Sequence, residues 1–169
     1  DLQFVDSPMT AVSKTVGILA IQGDYERHRH QIELVGARPV EVRLPRDLEA
    51  LDALIIPGGE STTMNIMIDR FKLREPLIRF GRSNPTFGTC AGMIMLGKNI
   101  ATNISRVQPL GLIDIDVDRN GYGRQVHSFE EKLEATLAGR KVRLTATFIR
   151  APRIVRLGDG IETLAVWKN

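Results

Sequence analysis

The sequence predicts an α/β fold in three layers: a mostly parallel central sheet, flanking helices and an antiparallel extension. In the first half of the chain, short and continuously apolar runs alternate with helical patterns, as is typical of a parallel sheet covered by helices. In the second half, strand patterns follow one another without a long helical pattern between them. This succession favours antiparallel pairing within the same domain.

The first half begins with a buried strand and a helix. Residues 16–21 are apolar throughout and end at Gln22-Gly23, which indicates a central strand covered on both faces. Asp24 caps the helix that follows, and Gly36 closes it. Four residues of this helix recur at helical spacing: Tyr25, His28, Ile32 and Val35. Further strands are predicted at residues 39–43, 53–56 and 86–89, and further helices at residues 61–70, 74–82 and 90–98.

The second half is predicted to consist of strands. Residues 112–118 alternate between apolar and acidic side chains, which is the pattern of a strand with one face in water. Three more strand patterns follow, at residues 132–137, 142–150 and 161–167.

Composition limits the possible functions. A chain of 169 residues with 43% hydrophobic residues fits one packed domain, and we assign residues 15–169 to it. We expect residues 1–14 to be an N-terminal extension, in part foreign to the natural protein. The net charge of +3 is spread along the chain and gives no basic stripe for nucleic acid. No apolar run is long enough to span a bilayer.

The single cysteine indicates both a compartment and a chemistry. One cysteine excludes an intramolecular disulfide framework and a zinc site built from several cysteines, and it fits a cytoplasmic protein. We expect neither a metal nor a cofactor. Cys90 lies between Gly88-Thr89 and Ala91-Gly92, after a strand pattern and before a helical one. This arrangement is typical of a nucleophile elbow, and the alternative is a small buried apolar residue.

Three strand ends marked by glycine are predicted to meet at the carboxyl edge of the sheet. They are Gln22-Gly23, residues 57–63 and residues 89–91. The backbone N–H of Ala91 and one from the Gly58-Gly59 turn would then form an oxyanion hole beside Cys90. The other interpretation of residues 58–63 is a plain strand-to-helix turn with Ser61 as the N-cap, and spacing alone leaves both open.

These motifs, taken in order, resemble the class I, triad-type glutamine amidotransferases. The resemblance is to one branch in particular, the glutaminase subunits of the pyridoxal 5'-phosphate synthases that use ribose 5-phosphate, and it runs from Val16 to about Trp167. The motifs that carry it are residues 21–24, 57–63, 87–92, 118–120, 123–126, 128–129 and 148–152.

The resemblance implies hydrolysis of L-glutamine to glutamate and ammonia through a thioester on Cys90. The ammonia would pass to a separate synthase subunit of barrel fold in a hetero-oligomer. Gly59 and Ala91 match the oxyanion-hole positions, and Gln22 matches a position linked to activation. The glutamine-binding positions of the family correspond to Gly59, Glu60, Ser61, Arg119, Ile149 and Arg150.

The chemistry of glutamine is compatible with these residues. The α-carboxylate needs cationic or N–H donors, which Arg119 and Arg150 can supply, and the α-ammonium needs an acceptor such as Glu60. Without the motif, each arginine would be interpreted as a solvated surface charge.

The sequence departs from the family pattern in its catalytic base. The family completes its triad with a histidine and a glutamate in a Phe-His-Pro-Glu stretch, and none of His28, His30 and His127 lies in such a stretch. We therefore expect a domain that lacks its C-terminal segment, and a chain that is nearly inactive alone, since removal of the base in comparable triads costs several orders of magnitude. A natural form without that segment is the alternative.

Three other functions stay open at this point. The chain can be a glutaminase subunit of another biosynthetic pathway, although residues 148–152 and 58–63 speak against it. It can be a cysteine hydrolase in which Glu60 tunes the thiol. It can also be a non-catalytic subunit that binds glutamine or docks the synthase.

Overall fold

The computed structural model describes residues 13–101, 106–119, 129–148 and 152–167. Apart from Ser13 and Lys14, the predicted extension lies outside these residues. The predicted fold class is confirmed: a parallel sheet of four strands is flanked by helices, and antiparallel strands follow it.

The parallel sheet and its helices take up the first half of the chain. Its strands are β1 (Thr15–Leu19), β2 (Arg38–Val42), β3 (Ala53–Ile56) and β4 (Thr86–Gly88), in the order β2-β1-β3-β4. The helices are α1 (Tyr25–Leu34), α2 (Ser61–Arg70), α3 (Arg74–Ser83) and α4 (Ala91–Leu96), and a 3₁₀ turn spans Pro45–Leu48.

The strand order creates the crevice in which the site lies. The chain runs from β1 to β2 on one side of β1 and then crosses to β3 on the other side. At such a reversal of strand order, the loops that follow the two central strands run in opposite directions. A crevice forms between them, and ligands bind in it. The loops concerned begin at Ala20 after β1 and at Pro57 after β3.

The second half forms two further sheets among the described residues. One contains β5 (Asn99–Ile100), β6 (Ile115–Asp118) and β9 (Arg153–Leu157), with β6 parallel to β5 and antiparallel to β9. The other is an antiparallel ribbon of β7 (Phe129–Leu137) and β8 (Arg140–Phe148). The predicted antiparallel portion is therefore present.

The solvent-exposed face predicted for β6 carries ion pairs. Arg156 of β9 donates to the carboxylates of both Asp114 and Asp116, and Asn99 donates to Asp116. These side-chain hydrogen bonds, those from Arg156 above all, lower the pKa of both aspartates. Polar pairing thus joins β9 to β6, while Ile115 and Val117 point into the core.

The strand predicted at residues 161–167 is wrong. This segment is irregular, and the hydrogen bond it makes to the ribbon runs from the Thr136 N–H to the Leu164 carbonyl, at 3.0 Å. The ring of Trp167 packs in this segment, 4.6 Å from that of Phe129 and 5.0 Å from that of Phe148, whereas Leu164 and Val166 are exposed.

Two short strands and one exposed residue were not predicted. Strand β9 shows no alternation because all five of its residues are exposed, and β5 has only two residues. Val35 continues the helical spacing of α1 but lies past the last turn, and 72% of it is exposed.

No helix in the described part of the chain has the length and apolar character needed to cross a membrane.

Two residues of helix α2, one buried and one exposed, allow the described packing of the core to be tested. Met64 of this helix is fully buried, whereas 57% of Ile66 is exposed. We predict that Met64→Ala lowers the free energy of unfolding by about 2–5 kcal/mol, because it leaves a cavity between α2 and the sheet. Chemical denaturation measures this change. Ile66→Ala on the same helix is the control and should stay within about 0.5 kcal/mol of the parent; equal effects of the two variants would contradict the described packing.

Candidate functional site

The three predicted strand ends come together at the carboxyl edge of the parallel sheet. The side-chain oxygen of Gln22, after β1, accepts a hydrogen bond from the Glu60 N–H, after β3, at 3.0 Å. A β-carbon placed on Gly58 would lie 3.4 Å from the β-carbon of Cys90, after β4. The site is thus assembled from the loops that follow β1, β3 and β4, which are neighbouring strands of the sheet.

Cys90 occupies a strained turn between β4 and α4. Its φ is 49° and its ψ is −109°, a conformation that costs a residue with a β-carbon about 1–3 kcal/mol. The Thr89 N–H donates to the Ile56 carbonyl at 3.2 Å, and the Gly92 N–H donates to the Thr89 carbonyl at 2.8 Å. These bonds hold the turn, and the Cys90 residue is exposed.

Gly92 explains why this turn can lie so close to the sheet. A β-carbon at Gly92 would overlap the carbonyl oxygen of Ile56, at the end of β3. Only glycine lets the first turn of α4 pack directly on the β3 backbone, so the position of Cys90 over the sheet depends on it.

Two backbone N–H groups are candidates for an oxyanion hole. Ala91 is the first residue of α4, so its N–H has no acceptor within the helix. Gly59 has a φ of 144°, which only glycine adopts readily, and a β-carbon there would collide with the carboxamide of Gln22. Both residues lie where sequence reasoning put them.

The carboxamide of Gln22 is only half satisfied. Its oxygen accepts from the Glu60 N–H, but its nitrogen is buried and has no hydrogen-bond partner among the described residues. A buried donor without a partner costs about 1–3 kcal/mol.

Glu60 is the N-cap of α2, so the alternative interpretation that placed Ser61 in this position is wrong. The Glu60 carboxylate accepts from the N–H groups of Thr62 and Thr63, at 2.9 and 2.6 Å, and from the Thr63 hydroxyl at 2.9 Å. Ser61 is instead the first residue of the helix and is buried. The Glu60 side chain bonds the free N–H groups at the start of the helix. Shorter side chains, those of Ser, Thr, Asp and Asn, usually fill this N-cap position.

This capping sets the charge of Glu60. Burial raises the pKa of the carboxyl, but the hydrogen bonds from Thr62 and Thr63 lower it by more, to about 2 from an ordinary value of 4.5. The carboxylate therefore stays ionised at neutral pH.

Arg119 reaches the same cluster from the end of β6. Its Nη2 donates to Glu60 Oε1 at 3.3 Å and to the Thr62 hydroxyl at 3.2 Å, and 20% of its side chain is exposed. Of the residues predicted to bind glutamine, Gly59, Glu60, Ser61 and Arg119 are thus neighbours. Ile149 and Arg150 lie outside the described residues, as does His127.

His28 was not assigned to the site by sequence reasoning, yet it contacts the elbow. Its Nε2 lies 3.4 Å from the Thr89 hydroxyl oxygen. Burial lowers the pKa of His28, and the charge of Asp24 offsets part of this effect. The signal was present in the helical spacing, because His28 shares a face of α1 with the buried Ile32. His30 is exposed on the same helix.

The other side chain that sequence reasoning missed is Thr62. It was part of the residues 57–63 motif, but nothing in the sequence shows that Arg119, 57 residues later, bonds its hydroxyl. Among the described residues, no group of three histidine, cysteine or carboxylate side chains is placed to hold a metal ion.

Comparison with known proteins gives consistent matches over most of the chain. The model of the SNO glutamine amidotransferase family matches residues 18–168. The chain is 49% identical over 152 residues to the "Pyridoxal 5'-phosphate synthase subunit PdxT" of Pelotomaculum thermopropionicum, covering 89% of this chain and 76% of that protein. It is 47% identical over 156 residues to the protein of the same name from Geobacillus kaustophilus, covering 91% and 77%.

A solved structure agrees with these matches. It is described as a crystal structure of glutamine amidotransferase, and it is 42% identical to this chain with a TM-score of 0.80. The alignment covers 89% of this chain and 78% of that one.

The cap at Glu60 predicts how stability depends on pH. Because the folded pKa is depressed, the carboxylate stabilises the fold above its ordinary pKa of 4.5, and this contribution is lost as pH falls toward about 2. We predict that Glu60→Gln lowers the free energy of unfolding at pH 7 by at most about 1 kcal/mol. Solvent screening makes this effect smaller, because the carboxylate is exposed. Denaturant titrations at pH 7 and pH 2.5 measure it: the gap between variant and parent should narrow at the lower pH, and a constant gap would contradict the assignment.

Proposed function

The chain belongs to the SNO glutamine amidotransferase family, and from this premise we propose that it is the glutaminase subunit of a pyridoxal 5'-phosphate synthase. It hydrolyses L-glutamine to glutamate and ammonia, and its relatives carry the name of that subunit. The observation that carries the proposal is the exposed Cys90 in a strained turn beside the Gly58-Gly59 loop.

The reaction uses the thiol as nucleophile and the loop as an oxyanion hole. The Cys90 sulfur attacks the carboxamide carbon of glutamine, a C–S bond forms, and the carbonyl electron pair moves to the oxygen. The N–H groups of Ala91 and Gly59 stabilise the resulting oxyanion. One donor of this kind lowers the activation barrier by about 3–4 kcal/mol. The C–N bond then breaks and ammonia leaves with the proton taken from the thiol. Water hydrolyses the thioester to glutamate and restores the thiol.

Substrate recognition is assigned to charged groups on both sides of the crevice. Arg119 is assigned to the α-carboxylate, and the family resemblance assigns Ile149 and Arg150 to the glutamine site. The Glu60 carboxylate holds Arg119 and the start of α2, and its negative charge attracts the α-ammonium. Ser61 contributes through its backbone, since its side chain is buried in the first turn of α2.

A base must take the thiol proton, and the family resemblance assigns this role to the histidine of a Phe-His-Pro-Glu stretch, in which none of His28, His30 and His127 lies. The imidazole of His28 is turned to the Thr89 hydroxyl and His30 is exposed on α1, so neither is assigned this role. The reading frame of the gene tests this point: a Phe-His-Pro-Glu stretch in it supports the assignment, and a frame without such a stretch contradicts it.

Gln22 is the element through which a partner activates the site. Its carboxamide lies against Gly59, and the carboxamide nitrogen has no hydrogen-bond partner in the part of the chain that the structure describes. A synthase subunit of barrel fold that shifts the loop after β1 would therefore also shift the oxyanion turn. Ammonia released at Cys90 then passes to that subunit. We therefore expect glutamine hydrolysis to be faster in the complex than in the isolated protein.

A non-catalytic subunit that binds glutamine or docks the synthase is the second candidate. Glutamine binding measured by calorimetry, paired with ammonia release, separates the two functions. Binding without release by the protein encoded in the full reading frame, with its synthase partner present, would favour docking.

The nucleophile gives the direct test of the proposed reaction. We predict that Cys90→Ala lowers ammonia release by roughly 10³-fold or more, because no thioester can form. Ammonia release is measured on the full-length protein with its synthase partner. Assembly with the synthase and the unfolding midpoint should both stay near those of the parent, and turnover that survives the substitution would show that the thioester mechanism is wrong.

A further inference from the structure

We propose that Thr62 is a positioning residue, whose hydroxyl orients the guanidinium of Arg119 toward the α-carboxylate of glutamine. The inference rests on the proposed function, in which Arg119 binds that carboxylate. It adds a residue that acts on the substrate only through Arg119.

The geometry shows how the orientation arises. Arg119 Nη2 donates to two acceptors, the Glu60 carboxylate at 3.3 Å and the Thr62 hydroxyl oxygen at 3.2 Å. Two acceptors on one terminal nitrogen fix the plane of a guanidinium, since rotation about its long axis breaks one of the bonds. The planar fork is thereby held before the substrate arrives, which lowers the entropy lost on binding.

The two acceptors act differently on the charge of Arg119. Glu60 is ionised and partly neutralises the guanidinium, which weakens its attraction for a second carboxylate. The hydroxyl of Thr62 carries no charge, so it orients Arg119 without this loss. Thr62 is itself fixed, because it belongs to the first turn of α2 and its N–H donates to Glu60 Oε1 at 2.9 Å.

Thr63 is a matched comparison in the same turn. Its N–H and its hydroxyl both bond to Glu60 Oε2, at 2.6 and 2.9 Å. Removing either threonine hydroxyl therefore disturbs the Glu60 cluster, but only the Thr62 hydroxyl is bonded to Nη2 of Arg119. The pair separates an effect on Arg119 from an effect on the helix start.

The test compares Thr62→Val, Thr62→Ser and Thr63→Val in the full-length protein with its synthase partner. Valine keeps the shape of threonine and removes the hydroxyl, whereas serine keeps the hydroxyl. We expect Thr62→Val to raise KM for glutamine about 5- to 10-fold and to leave kcat within twofold of the parent. The reason is that the lost hydrogen bond stabilises the bound substrate and the transition state equally. Thr62→Ser and Thr63→Val should both keep KM within about twofold.

A second measurement uses two reagents on Cys90. Iodoacetamide has no carboxylate, so its rate of alkylation should be the same in all variants. A diazoketone analogue of glutamine carries the α-carboxylate, so its rate of labelling at low concentration should fall about 5- to 10-fold in Thr62→Val alone.

The outcomes distinguish this inference from the proposed function. If the parent releases ammonia and Thr62→Val leaves KM and both labelling rates unchanged, the role of Thr62 is wrong and the glutaminase function stands. Equal rises in KM for Thr62→Val and Thr63→Val, or a slower reaction with iodoacetamide, would show a structural role at the helix start. A parent protein with no turnover and no glutamine binding would overturn the proposed function itself.

Discussion

The contact between Gly92 and the Ile56 carbonyl is the constraint on which the site depends. Because no β-carbon fits there, α4 begins directly on the backbone of β3, and the preceding residue must turn sharply. Cys90 accordingly takes a positive φ and Ala91 presents an N–H at the helix start. The same contact sets Cys90 beside Gly58, so the proposed nucleophile and the proposed oxyanion turn lie next to each other. The strain at Cys90 is local, and the burial of Ile94, Met95 and Leu96 in the core holds it in place.

Glu60 links this nucleophile region to the rest of the crevice. Its N–H bonds to Gln22 after β1, its carboxylate begins α2, and the same carboxylate bonds Arg119 after β6. Glu60, the neighbour of Gly59, therefore joins the loop after β1, the start of α2 and the end of β6 through direct hydrogen bonds.

Sequence patterns predicted the parts of this arrangement that depend on local chemistry. Continuous apolar runs located β1 and β3, and the glycines around Cys90 located the elbow, because few residues tolerate that backbone. The patterns failed where distant residues decide the outcome. Residues 161–167 carry an apolar pattern but form no strand, and Leu164 and Val166 are exposed. The bond from Arg119 to Thr62 joins segments that are far apart in sequence. Glu60 rather than Ser61 caps α2, and its longer side chain also bonds Arg119.

The thioester on Cys90 is the central claim, and peptide mass spectrometry tests it most directly. The full-length protein, mixed with glutamine and its synthase partner, is quenched in acid during turnover and digested. The account predicts that the peptide containing Cys90 gains the mass of one glutamyl group, and that hydroxylamine removes this mass. Turnover in which this peptide stays unmodified while another nucleophile carries the glutamyl group would contradict the account.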